Sequence, residues 1–352
     1  MRILIMATPV APLGQGKAGG VTLHVINTAA ALEIQSHTIT IVAVEGSKAT
    51  GLQVIPVAGK VQPSLASEVE GKIFPIPNDS ALGNMWREAL RRQREYDVII
   101  NFAHDWLPYY LTEFFTTPVY HIVNMTDVNE PTSGEIVRVA NSVAGRVAFM
   151  SQAQAERFSG LLSPHIVSFG LDLSVYEFIE TPQQELLWAG RISPEKSLED
   201  ALLAARSLNR KLIIAGAIDN EAYWSDLKKM YRETIVYKGF MPTHKLQALM
   251  GGAQTLLQTQ KWHEAFGIVT IEAMACGTPV IGYARGANKE LIRHGETGLL
   301  VAPDDGNGLI DAIGIIGSVS RRACRDYVER CFSLRSYGRK LNSWLNGASI
   351  KQ

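Results

Sequence analysis

Short apolar runs rich in β-branched residues recur along this chain at helix-length intervals, and that rhythm restricts the folds open to it. One series covers residues 2–7, 38–44, 97–101, 118–122, 146–149 and 165–168. A second covers 186–189, 211–215, 235–238, 255–258, 279–282 and 298–301. Helix-period stretches such as 21–34 fill the gaps. Apolar strands alternating with helices predict parallel sheets covered on both faces. At 352 residues the chain exceeds what one hydrophobic core usually holds, so two α/β domains are expected. Polar residues, Pro182 and two glutamines interrupt the pattern just after Gly170. The domains are therefore placed at 1–170 and 171–333, with 334–345 a further helix. In open α/β sheets, ligands sit at the carboxyl ends of the strands. Two such domains facing each other would put a site in the cleft between them.

Composition narrows the partners. Lys and Arg number 34 and Asp and Glu 34, for a formal net charge of zero. That argues against nucleic acid as the main partner and gives no bulk attraction to anionic lipid. Hydrophobic residues at 46% and charged ones at 19% describe an ordered globular chain. The cluster Arg87, Arg91, Arg92, Arg94 is interspersed with Glu88 and Glu95, which fits a solvated helix face. No run of about eighteen apolar residues appears, and Met1 opens a strand rather than a signal peptide. Cys276, Cys324 and Cys331 are an odd number without zinc-ligand company, so a reduced, cytoplasmic protein is expected.

The densest chemistry lies in Trp262-His263-Glu264-Ala265-Phe266-Gly267-Ile268-Val269-Thr270-Ile271-Glu272-Ala273-Met274-Ala275-Cys276-Gly277-Thr278-Pro279. The apolar residues make a helix buried on most sides, and Gly277 with Pro279 ends it. Glu272 falls on that helix and Glu264 in the loop before its N-terminus. Backbone amides at Phe266, Gly267 and Ile268 then offer an anion site. Carboxylates near both ends suit a ligand that also carries hydroxyls. A sugar nucleotide is such a ligand.

This element resembles the Glu-x7-Glu signature of glycosyltransferase family 4, the retaining enzymes of the GT-B fold. The run Gly190-Arg191-Ile192-Ser193-Pro194-Glu195-Lys196 is similar to that family's Gly-Arg…Pro-Glu-Lys segment, and Gly295-Glu296-Thr297-Gly298-Leu299-Leu300-Val301 to its Thr-Gly-Leu-Leu-Val run. The resemblance implies two Rossmann-like doubly wound domains. The first binds the acceptor and the second the nucleotide sugar, with residues 334–352 returning to the first. Ser197 stands where the family more often has glycine, so a slight loop adjustment is expected.

Within that frame Arg191 and Lys196 are aimed at the leaving group. Breaking a glycosyl–phosphate bond builds charge on the diphosphate, and fixed cations there favour the transition state over the ground state. Glu272 would accept hydrogen bonds from the ribose diol. By resemblance, Glu264 contacts hydroxyls of the donor sugar, and Gly190, Gly19 and Gly20 line the donor. The family's reaction implies a same-face displacement through an oxocarbenium-like state, the diphosphate helping to deprotonate the acceptor. No Asp-x-Asp appears and no metal or other cofactor is expected. UDP-glucose is the expected donor, with GDP- or ADP-sugars as alternatives.

In the first domain, His104-Asp105-Trp106 resembles the His-Asp-Trp of glycogen-synthase-like relatives. His121, read as ending an apolar strand, is expected at the cleft rim as a residue of the sugar site, with a core histidine satisfied by the backbone as the alternative. Asn124 and Asp127 follow it as acceptor candidates, beside His104 and Asp105, and Asp105 is nearly as well suited to capping a helix. The stretch 101–115 and the Lys261-Trp262 pair look similar to cyanobacterial glucosyltransferases acting on reduced pterins such as tetrahydrobiopterin. Trp106, Tyr109 and Tyr110 offer rings for a flat acceptor, and are as easily core or helix-packing residues. A lipid or polysaccharide precursor is the alternative acceptor. A competitor from another class is an NAD-dependent oxidoreductase, because residues 14–19 match G-x-G-x-x-G. Its context is wrong: Pro9 and Pro12 lie in the long stretch between the strand and Gly14, where the fingerprint needs a tight turn.

Overall fold

The structure is a computed structural model that describes residues 1–14, 19–61, 76–127, 130–143 and 145–347. It divides into two compact units, Met1–Gly170 with Leu334–Gln352, and Leu171–Ser333. Unit 1 holds the strands β1 (Arg2–Met6), β2 (Thr38–Val44), β3 (Gln53–Val57), β4 (Val98–Asn101), β5 (Val119–Val123), β6 (Val147–Phe149) and β7 (His165–Ile166). They form one parallel sheet in the order β3-β2-β1-β4-β5-β6-β7. Ile3, Leu4, Ile5, Ile41, Val42, Ile99 and Ile100 are fully buried, as expected for strands covered on both faces.

Unit 2 repeats the plan with β8 (Leu186–Ala189), β9 (Leu212–Ala215), β10 (Ile235–Tyr237), β11 (Thr255–Gln258), β12 (Val280–Tyr283) and β13 (Gly298–Val301). Its order is β10-β9-β8-β11-β12-β13, again all parallel. Strand order reverses beside β1 and β4 in one sheet and beside β8 and β11 in the other. A crevice opens beyond the carboxyl ends of strands at such reversals.

The helix Leu334–Leu345 returns to unit 1 and packs on the helix Gly19–Ile34. A Cβ at Gly338 would stand 2.4 Å from the Ala31 carbonyl oxygen, so only glycine lets the two helices approach this closely. The Tyr337 hydroxyl bonds to His24 Nε2 at 2.9 Å and Thr28 Oγ1 at 3.0 Å in the same contact. Among the described residues, no helix is long and apolar enough to cross a membrane.

Two elements differ from the sequence reading. β3 was not expected, because Pro56 and the half-exposed Val54 and Ile55 disguise it. As the edge strand it needs no hydrogen bond from the proline nitrogen. Residues 15–18 of the glycine-rich stretch lie outside the described residues. Gly14 is in irregular chain well past the end of β1, with φ +78 and the Lys48 carbonyl against it, not in a tight turn after the strand.

Candidate active site

The loop after β8 carries Gly190 and Arg191 past the sheet edge. Gly216, at φ +157, packs so closely that a Cβ there would lie 1.7 Å from the Gly190 carbonyl oxygen. This contact fixes the backbone from which Arg191 projects. The Arg191 guanidinium donates to Asp219 Oδ2 at 2.6 Å and to Glu195 Oε1 at 3.4 Å. Ser193 Oγ donates to the same Glu195 oxygen at 2.5 Å. A single 3-10 turn, Pro194–Lys196, then presents Lys196. Ser197 follows in the left-handed conformation, φ 48 and ψ 55, and the helix Leu198–Ser207 begins. A glycine would adopt that conformation without strain, and here a serine adopts it.

From β11 the chain runs through Thr259 and Gln260 to Glu264, and the two loops are tied together. Thr259 Oγ1 donates to the Ser197 carbonyl at 2.7 Å, and the Lys261 amide to the Glu195 carbonyl at 2.9 Å. The Lys196 ammonium bonds Glu264 Oε2 and lies 4.8 Å over the Trp262 ring, whose Nε1 donates to that carboxylate oxygen at 3.0 Å. A Cβ on Gly286 would come within 2.9 Å of the Glu264 amide nitrogen, so a neighbouring loop holds the Glu264 backbone too. Burial by itself would raise the Glu264 pKa. The Lys196 ammonium, its hydrogen bond, the Trp262 indole and Arg191 together hold the carboxyl below the usual range. Arg191, Lys196 and Glu264 thus converge where the strand order reverses between β8 and β11, from positions 73 residues apart in sequence at the extremes (264 − 191).

Gly267, at φ 88, turns the chain into the helix Ile268–Ala275 and makes no side-chain cap. The Glu264 carboxylate accepts from Lys196 and Trp262. Glu272 sits on the helix, 8% exposed, and its Oε1 accepts from the Tyr176 hydroxyl at 2.7 Å. Burial pushes its carboxyl pKa up, with the Tyr176 hydrogen bond acting against that rise.

Unit 1 requires corrections. His121 is at the centre of β5, not at a strand end, and is fully buried. Its Nε2 pairs with Thr112 Oγ1 at 2.9 Å, its Nδ1 with Asn101 Nδ2 at 3.1 Å, and its ring stacks on Tyr109 at 4.3 Å. Burial drives its pKa down to about 3. His121 is a neutral core histidine here, and Tyr109 is equally buried. Asn124 spends its side chain on His24 Nδ1 at 2.7 Å and on the Phe102 and Ile122 carbonyls. Asp127 pairs with Arg157 at 3.1 Å. Asp105 caps the helix Trp106–Tyr110 through the Leu107 amide.

His104 is different: both ring nitrogens are buried and neither has a hydrogen-bond partner. Burial lowers its pKa to about 4. Trp106 and Tyr110 are exposed and stack on each other at 4.5 Å. Gly19 and Gly20 open the helix Gly19–Ile34.

Sequence reasoning missed the partners that set this geometry. Tyr176 is 96 residues from Glu272 and Asp219 is 28 from Arg191, so no local pattern links them. Trp262 was in view, but its hydrogen bond to Glu264 has no periodic signature. Among the described residues, no group of three or more His, Cys, Asp or Glu is placed to hold a metal ion.

Residues 176–323, which contain Arg191, Lys196, Glu264 and Glu272, match the sequence family described as Glycosyl transferases group 1. The chain is 26% identical over 357 aligned residues to the glycogen synthase of Mycobacterium tuberculosis H37Rv, covering 89% of this chain and 85% of that one. It is 25% identical over 363 residues to the D-inositol 3-phosphate glycosyltransferase of Mycolicibacterium smegmatis, covering 90% and 82%. The fold is that of the crystal structure of Anabaena HepE in complex with UDP and glucose: TM-score 0.77, 18% identity, 99% of this chain and 100% of that one. The chain is a glycosyltransferase of the GT-B type, a hexosyltransferase whose group 1 region lies in unit 2.

Proposed function

We propose that this enzyme transfers glucose from UDP-glucose to a small soluble acceptor with retention of anomeric configuration and without a metal. The observation that carries this reading is the convergence of Arg191, Lys196 and Glu264 at the β8/β11 reversal, beside the N-terminus of the helix Ile268–Ala275. Arg191 and Lys196 face the diphosphate. An ammonium has three N–H donors, so Lys196 can keep Glu264 and still reach a phosphate oxygen. Gly267 and Ile268 stand beside it at the N-terminus of that helix, and Phe266 and Gly190 are assigned to the donor with them. Glu272 takes the ribose diol and Glu264 the hydroxyls of the donor sugar. The bond from the anomeric carbon to the diphosphate oxygen breaks, its electron pair leaving with UDP. The acceptor oxygen attacks from the same face and its proton passes to the departing diphosphate. The HepE complex with UDP and glucose supports the donor assignment.

Unit 1 holds the acceptor in this reading, with the unpartnered His104 nitrogens available to a hydroxyl, while Gly19 and Gly20 stay assigned to the donor. In the structure, the exposed Trp106–Tyr110 ring pair supports a reduced pterin. A polyhydroxylated acceptor has separate support, since the relatives named above include a glycogen synthase and an inositol phosphate glycosyltransferase. The buried thiols of Cys276 and Cys324 support a reducing, cytoplasmic setting.

The test is calorimetry with UDP, GDP and ADP. It is followed by turnover of UDP-glucose in excess chelator with tetrahydrobiopterin, inositol phosphate and maltooligosaccharide as acceptors. Preferred binding of UDP and chelator-resistant transfer are expected. Tighter binding of GDP or ADP would overturn the donor, and abolition by chelator would overturn the charge assignment to Arg191 and Lys196.

A further inference from the structure

Tyr176 belongs to none of the sequence motifs, yet its hydroxyl donates to Glu272 Oε1 across 2.7 Å, with the two residues 3% and 8% exposed. Its backbone is anchored independently. Arg325 Nη1 donates to the Tyr176 carbonyl at 2.7 Å and to the Ala275 carbonyl at 2.8 Å, binding this segment to the last turn of the helix that carries Glu272. Three residues on, the Ile179 amide donates to the Cys276 carbonyl at 3.1 Å, and the Ile179 carbonyl accepts from Arg321 Nε at 2.7 Å. The Phe178 ring fills the space a Cβ on Gly277 would need. A buried tyrosine whose backbone is anchored in this way keeps its position whether or not Glu272 bonds to it. The bond therefore fixes the carboxylate rather than the reverse. A carboxylate turns freely about its terminal torsion, and a diol is recognised well only when that plane is set beforehand.

We propose that Tyr176 is a positioning residue that orients the Glu272 carboxylate for the ribose 2′,3′-diol of the donor nucleotide. The proposal rests on the reading of Glu272 given above. One hydrogen bond at Oε1 leaves Oε2 and a further lone pair of Oε1 for the two hydroxyls.

The experiment is calorimetry on the full chain with whichever of UDP, GDP and ADP binds most tightly and with its 2′,3′-dideoxy form. Wild type, Tyr176→Phe and Glu272→Gln are compared. Tyr176→Phe keeps the ring packing and removes only the donor. It should weaken the parent nucleotide roughly three- to tenfold and leave the dideoxy form within about twofold of wild type. A general loosening of the site would weaken both forms alike, and that result would overturn the proposal. If Glu272→Gln weakens only the parent nucleotide while Tyr176→Phe binds both as wild type does, Glu272 reads the ribose without help from Tyr176. If Glu272→Gln itself weakens both forms equally, or no nucleotide binds, the ribose reading fails and the positioning role with it.

Discussion

The two glutamates of this site are buried to similar ends by opposite means. Glu264 has an ammonium, an indole N–H and a nearby guanidinium, and it stays charged below the usual carboxylate range. Glu272 has one phenol, and burial raises its pKa above the ordinary 4.5. A folded-state pKa above the unfolded value means that the ionised group costs stability once the pH exceeds the folded pKa. Glu272→Gln should therefore melt at the wild-type temperature or higher at pH 7. The difference should close as pH falls below about 4.5, where glutamate is protonated in both states. The same variant should lose nucleotide affinity by roughly ten- to a hundredfold, the scale of charge-assisted hydrogen bonds. Thermal melts across pH beside calorimetry check both halves, and a lower melting temperature at pH 7 would contradict the burial argument. For Arg191→Ala and Lys196→Ala the expected loss is in rate, roughly a hundredfold or more in kcat with smaller changes in donor KM, because leaving-group charge peaks in the transition state. Steady-state kinetics at saturating donor decides this, and a wild-type kcat in either variant removes that cation from the diphosphate.

At the scale of elements, the strand–helix rhythm made most of both sheets legible, since parallel strands buried on both faces read as short continuous apolar runs. β3 was hidden because an edge strand with Pro56 carries neither sign. His121 shows a sharper limit: the residues 118–122 look like a strand with histidine near its end, but the sheet continues to Val123 and closes over the ring. Sequence pattern gives the faces of a strand and not how deep a residue lies along it. The helix Ile268–Ala275, with Glu272 on it and Glu264 in the loop before it, was placed correctly because a buried helix bounded by glycines has a strong local signature. The loop after β8 tests how far this precision depends on backbone contact. Gly216→Ala puts a methyl group into the Gly190 carbonyl and must displace the loop that carries Arg191. We expect a loss of several kcal/mol of stability, on the order of 2–4, together with a fall in kcat. Chemical denaturation and kinetics measure both, and an unchanged kcat would show that Arg191 does not depend on this contact.

For the molecule as a whole, two parallel α/β units give different kinds of evidence. Unit 2 brings cations, carboxylates and a helix N-terminus to one strand reversal, and its group 1 match covers them. Unit 1 uses several of its polar candidates for its own architecture, and among those candidates His104 has both ring nitrogens buried and unsatisfied. In the proposed reaction unit 2 activates a nucleotide sugar for same-face transfer, with its own cations stabilising the leaving diphosphate. Proton NMR during the first minutes of reaction with UDP-α-glucose in excess chelator tests it most directly. It is recorded on the glycoside formed or, with water as acceptor, on the glucose released before its anomers equilibrate. The account predicts the small anomeric coupling of an α product. The large coupling of a β product would contradict it.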